Sequence, residues 1–184
     1  MVLVIIITVI IVLLVIWFIG TYNSLISLKN KVMDQWSQID VQLKRRSDLI
    51  PNLVKTVKGY VKHEKETLKE IVDARGLFVN AETPEDKMKV NDIVSKSAAK
   101  LIAVAEAYPD LNSNENFISL QKDLTETEDK ISMMRQFYND VVMKYNNKIE
   151  SIPSNFVAYV CGFKKQAFFE INGDERDIVD VLLD

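Results

Sequence analysis

Little in this chain suits chemistry. A single cysteine, Cys161, and a single histidine, His63, are accompanied by five glycines and four prolines in 184 residues. One cysteine excludes a disulfide framework within the chain. One histidine means that any metal site would be built almost wholly from carboxylates. His63-Glu64 lacks the second imidazole of a zincin helix, because Thr67 stands four positions on. A carboxylate-bridged di-iron bundle needs a glutamate three residues before its histidine, and position 60 is Tyr. No glycine-rich phosphate loop is present, and Cys161, between Val160 and Gly162, has no neighbouring base to activate it. The expectation is a protein with no catalytic residues, no metal and no cofactor. A formal net charge of −3 argues against nucleic acid as a partner, although Lys44, Arg45 and Arg46 form a local basic patch.

Charge is absent altogether from Val2 to Ile19, where Thr8 is the sole polar side chain. At about 1.5 Å per residue this run makes a helix of roughly 27 Å, close to the hydrocarbon thickness of a bilayer. Residues 1–20 are therefore predicted to be a transmembrane helix. A cleaved leader is the competing reading. The run is long for a leader, no Lys or Arg precedes it, and it ends in Trp17-Phe18-Ile19-Gly20 where small residues would mark cleavage. Trp17, Phe18 and Tyr22 stand where aromatic rings anchor a helix at the headgroup layer. Lys29 and Lys31 follow the span, a bias that predicts the N-terminus outside and the remainder in the cytoplasm.

Beyond residue 20 the apolar positions recur with helical spacing and nowhere alternate, which predicts an all-α fold. Tyr22, Leu25, Leu28, Val32, Trp36, Ile39 and Leu43 form one stripe, continuous with the span. Ile50, Leu53, Val54, Val57, Tyr60, Val61, Leu68, Ile71 and Val72 form a second, and Val90, Ile93, Val94, Leu101, Val104, Ala105 and Tyr108 a third. Phe117, Leu120, Leu124, Ile131, Tyr138, Val141, Tyr145 and Ile149 form the longest. Four narrow stripes must bury one another, which predicts an antiparallel up-and-down four-helix bundle over residues 21–151. Thr83-Pro84-Glu85-Asp86 reads as a helix start, and Asn112 with Glu115 as another. Around Pro51 two readings stand: a turn capped by Ser47 or Asp48, or one long helix that Pro51 kinks. The turn would bring the fourth helix back toward the membrane, and the kink would carry the C-terminal segment to the far end. Gly59, placed inside a helix, predicts close helix approach.

Residues 152–169 follow Pro153 and carry Phe156, Tyr159, Phe163, Phe168 and Phe169 around Lys164-Lys165. Such a segment suits a membrane interface, or else caps the open end of the bundle core. Residues 170–184 form an acidic tail with Arg176 alone as counter-charge. Arg46, Asp48, Arg75, Glu106, Glu128 and Arg135 fall near the apolar stripes. They are expected as cross-helix pairs, for example Arg75 or Arg135 with Glu106 or Glu128, that fix register, or as a polar groove for a peptide or small ligand.

The run Ile39-Asp40-Val41-Gln42-Leu43-Lys44-Arg45-Arg46, then Asp48-Leu49-Ile50-Pro51-Asn52-Leu53-Val54, then Val57-Lys58-Gly59-Tyr60 with His63-Glu64, resembles the signature of the LemA family of bacterial membrane proteins. Similar residues continue through Ala74-Arg75, Glu106 to Leu111, Asn116-Phe117, Tyr138-Asn139, Tyr145-Asn146, Pro153-Ser154-Asn155 and Gly162-Phe163-Lys164. The resemblance implies a short outside N-terminus, one span in the inner membrane and a helical bundle beyond it. It supplies no catalytic residues. The chain departs from the family at Asp177 to Asp184, which is more acidic than the family's proline-containing close. The function expected is a membrane-anchored scaffold or adaptor with protein partners. The alternative is membrane shaping or lipid contact through residues 152–169, and an enzyme using paired carboxylates is the third reading.

Overall fold

The computed structural model describes residues 1–61 and 64–170, so that His63 and the acidic tail from Ile171 onward lie outside the described residues. Among the described residues six helices follow in order: α1 Val2–Lys58, α2 Lys65–Asn80, α3 Pro84–Glu106, α4 Pro109–Asn112, α5 Glu115–Glu150 and α6 Ser154–Val160. No strand occurs among the described residues, as the unbroken helical periodicity requires.

α1 runs through Pro51 without interruption. A proline within a helix removes the amide that would bond to the carbonyl four residues back, here Ser47. Ser47 is buried, and its orphaned carbonyl accepts a hydrogen bond from Arg75 Nε at 3.0 Å. A side chain from α2 thus replaces the missing backbone donor, and the helix continues for another seven residues. Of the two readings of Pro51, the continuous helix is the one observed, but it does not carry the C-terminal segment to the far end, since Phe163 packs against Tyr22 at 5.7 Å. α1 ends in the turn Gly59-Tyr60, where the Gly59 and Tyr60 amides donate to Thr56 and Val57 carbonyls at 3.3 and 2.9 Å. Gly59 marks this end and not a close helix approach: a Cβ there would meet only the Thr56 carbonyl, at 3.5 Å.

The start of α3 is set by Thr83, whose Oγ1 accepts from the Asp86 amide at 3.1 Å, with Pro84 in the first turn. For α5 the cap is Asn114, whose Oδ1 accepts from the Phe117 amide at 3.1 Å. Asn112, expected in that role, instead closes the short helix α4. Pro109 explains the shift: it starts a separate turn of helix, so the next free side-chain acceptor stands two residues later.

The chain folds as two compact units, one comprising Met1–Gln38 with Gln136–Phe168 and the other Ile39–Arg135 with Phe169 and Glu170. In the first, Trp36 meets Tyr138 edge to face at 6.0 Å and Tyr22 meets Phe163 at 5.7 Å. Leu25, Val32, Val142, Tyr145, Val157 and Ala158 are buried there. In the second, Ile50, Val57, Ile71, Leu101, Leu111 and Phe117 are among the fully buried side chains. The burial has a spacing of seven. Phe117, Leu124, Ile131, Tyr138 and Tyr145 on α5 are all at most 3% exposed, and Leu25, Val32, Ile39, Arg46 and Leu53 on α1 likewise. Seven residues are close to two helical turns, so each set forms one seam. Arg46 is the one charged member of its seam.

Candidate functional site

The second unit holds the polar candidate. Arg46 is fully buried, which would cost several kcal/mol were its charge left alone. Its Nη1 donates to Ser95 Oγ at 2.7 Å and to Glu128 Oε1 at 2.9 Å, and its Nη2 to Asn91 Oδ1 at 3.0 Å. Ser95 Oγ also lies 3.3 Å from both Glu128 oxygens. Side chains from α1, α3 and α5 therefore close on one another in a polar layer. Among the described residues, Arg46 Nε and Gln42 Oε1 are the buried side-chain atoms left without a hydrogen bond.

The other expected members are placed elsewhere. Arg75 binds the Ser47 carbonyl and not a carboxylate, and Arg135 lies over the Phe169 ring at 5.8 Å. Asp48 and Glu106 are exposed. The basic patch is also dispersed, since Arg45 pairs with Asp123 at 3.2 Å while Arg46 points into the core and Lys44 into solvent. Asn91 and Ser95 join the layer without being among the expected members. Asn91 stands seven residues before Ala98 and fourteen before Ala105, both buried, and that spacing is the signal that places it in the core. A separate groove of about 550 Å³ is lined by Asn52, Lys55, Thr56, Tyr60, Asn116 and Ser119 among others, and none of the six expected charged residues reaches it. Among the described residues no three His, Cys, Asp or Glu side chains gather as a metal would need.

The first unit holds the membrane candidate. α1 is long and apolar enough at its start to cross a bilayer, and that apolar stretch is unburied by the chain itself. Trp17 and Tyr22 are 36% and 38% exposed, and Phe18 is half-buried. From the Trp36–Tyr138 contact to Tyr22 along α1 is about 21 Å, and from it to Glu150 along α5 about 18 Å, at 1.5 Å per residue. Lys165 pairs with Glu150 while Phe163, two residues before it, meets Tyr22, so both paths lead the same way, α1 and α5 are antiparallel in this unit and α5 ends about level with Tyr22. α6 follows immediately.

The chain after α6 is tied down. Asn146 Nδ2 donates to the Gln166 carbonyl at 2.9 Å while its Oδ1 accepts from the Gln166 amide at 3.0 Å, and Tyr138 Oη donates to the Ala167 carbonyl at 3.0 Å. Lys165 pairs with Glu150, whereas Lys164 is exposed and Phe163 half-buried. α6 buries Ser154, Val157 and Ala158. Its opposite face leaves Phe156 62%, Tyr159 86% and Val160 57% exposed, and Ile152, in the turn before it, is 86% exposed. The segment thus buries one face and presents an apolar stripe with the other.

Outside the span, Tyr145 and Lys100 titrate above their ordinary values. Burial raises the Tyr145 phenol, and the hydrogen bond to Glu70, at 2.6 Å, raises the Lys100 ammonium.

Comparison with known proteins gives a consistent picture. A family model described as the LemA family matches residues 35–182. The magnetosome proteins MamQ 1 and MamQ 2 of Paramagnetospirillum magneticum are each 27% identical over 189 residues, covering 86% of this chain and 70% of their own length. Protein LemA of Metamycoplasma hominis is 27% identical over 168 residues, covering 89% of this chain and 75% of its own length.

Proposed function

Since the chain belongs to the LemA family, we propose that it is a single-pass membrane-anchored scaffold or adaptor whose helices present surfaces to protein partners and perform no chemistry of their own. The observation that carries this reading is the polar layer around Arg46. A buried guanidinium whose two terminal nitrogens are spent on Ser95, Glu128 and Asn91 of neighbouring helices resembles a register device more than a reactive centre. In this reading α1, α2, α3 and α5 form an antiparallel four-helix bundle, held in the cytoplasm by the span at the start of α1. Lys29 and Lys31, just beyond the span, support that orientation.

The test is purification of the full chain from bacterial membranes in mild detergent after brief cross-linking. The scaffold reading expects a stoichiometric protein partner that is retained when residues 152–169 are altered. Repeated recovery of intact, folded chain with no partner contradicts it.

A further inference from the structure

We infer that α6 and the turn before it are a second membrane contact: a short interfacial segment that lays Ile152, Phe156, Tyr159 and Val160 into the headgroup region of the bilayer that α1 crosses. The inference rests on the anchoring half of the scaffold reading. Three observations place a lipid surface, and not a protein, on this stripe. The first is level. α5 ends about level with Tyr22, three residues beyond the last residue of the apolar run, so α6 lies where the bilayer surface must be. The second is the pattern of exposure. Phe156, Tyr159 and Val160 share the face of α6 opposite Val157 and Ala158, Ile152 stands in the turn just before the helix, and all four are 57% to 86% exposed. Such a stripe in water is a liability, and in the interface it is an anchor.

The third is chemistry. Phe156 and Tyr159 are ring side chains suited to the ester level, and the exposed Lys164 follows within the same segment as a phosphate-directed ammonium. The contact is also held in place. Asn146 grips Gln166 at two points, Tyr138 holds Ala167, and the Phe163 ring packs on Tyr22 of the spanning helix itself. A free tail could swing away from the bilayer, whereas this one is clasped to the helix that enters it. The two contacts also restrict the chain's rotation about α1, which a single span leaves free.

The experiment uses the full chain in phosphatidylcholine vesicles, with a fluorophore on Cys161, which is exposed and adjoins the stripe. Reference labels are placed at Ile10→Cys and Met33→Cys in a Cys161→Ser background. The expected result is strong quenching at Cys161 by shallow nitroxide lipids, about threefold or more above Met33, with shielding from iodide. The double substitution Phe156→Ser and Tyr159→Ser changes only exposed side chains and should return Cys161 to the Met33 pattern. Adding phosphatidylglycerol should strengthen the contact, and Lys164→Gln should abolish that increment alone. If Cys161 behaves as Met33 does while Ile10 is quenched in the bilayer core, the second contact is overturned and the anchor stands. Shielding of Cys161 from both quenchers identifies a protein cover, such as a second copy, and overturns the lipid assignment. An unquenched Ile10 refutes the anchor and the second contact together.

Discussion

The two units of this chain meet the same requirement, uniting distant helical segments, by opposite chemistry. Ile39–Arg135 buries a full positive charge and surrounds it with an amide, a hydroxyl and a carboxylate. Met1–Gln38 with Gln136–Phe168 buries no charged side chain among its described residues, and relies on edge-to-face rings and on the two-point grip of Asn146 on Gln166. The difference follows what each must specify. A buried ion adds little stability over an apolar replacement, yet it penalises every register that leaves it unpaired. Rings tolerate small shifts but bury large area, and beside a membrane they serve both the core and the interface. Charge therefore selects the pairing of helices in one unit, and aromatic area with backbone-directed amides fastens the chain in the other.

Substitutions that remove one partner should break this contrast most sharply. Glu128→Ala leaves Arg46 buried without its counter-charge and should cost about 3 kcal/mol in denaturant unfolding. Arg46→Met with Glu128→Leu should return to within about 1 kcal/mol of the parent, because the apolar pair needs no partner. In the other unit, Asn146→Ala orphans the Gln166 amide and carbonyl together and should cost about 2 kcal/mol. It should also raise the rate of Cys161 alkylation in detergent, as the segment after α6 loosens. Arg75→Met should cost about 1 to 2 kcal/mol by orphaning the Ser47 carbonyl. Pro51→Ala restores the backbone donor, so the same Arg75→Met change made in that background should cost measurably less. Thr83→Ala removes a single cap and should cost about 1 kcal/mol.

The smallest effect is one of pH. Tyr145 and Lys100 both have folded values raised above their ordinary 10.0 and 10.5. Their contribution is complete below those unfolded values and is lost as pH rises through the folded ones. Thermal stability should be unaffected by these two groups from pH 7 to about 10 and decline above it, and Tyr145→Phe should lessen the decline.

Much of this is legible in the sequence where a single local rule decides. The uncharged run from Val2, the helical periodicity beyond it and the Thr83-Pro84 start each depend on neighbours within one or two turns. What escapes such reading depends on partners far along the chain. Pro51 suits a turn or a kink equally because the group that makes it tolerable, Arg75, stands on another helix. Glu128 is recognisable as a carboxylate near an apolar stripe, but its partner is Arg46 and not Arg75 or Arg135, since the seven-residue seam of α1 carries Arg46 inward. Gly59 and Asn112 differ from expectation by a few residues at helix ends, where competing caps differ by fractions of a kcal/mol. The aromatic segment is recognisable by composition, while the split into a buried Val157–Ala158 face and an exposed Phe156–Tyr159 face needs the structure.

The anchored scaffold is tested most directly by cysteine accessibility in intact bacterial cells, with single cysteines at Glu82 and Glu85 in a Cys161→Ser background and a membrane-impermeant maleimide. Labelling only after lysis is the predicted result, and places the helices beyond α1 in the cytoplasm. Labelling of intact cells contradicts the cytoplasmic assignment and moves the search for partners to the other side of the membrane.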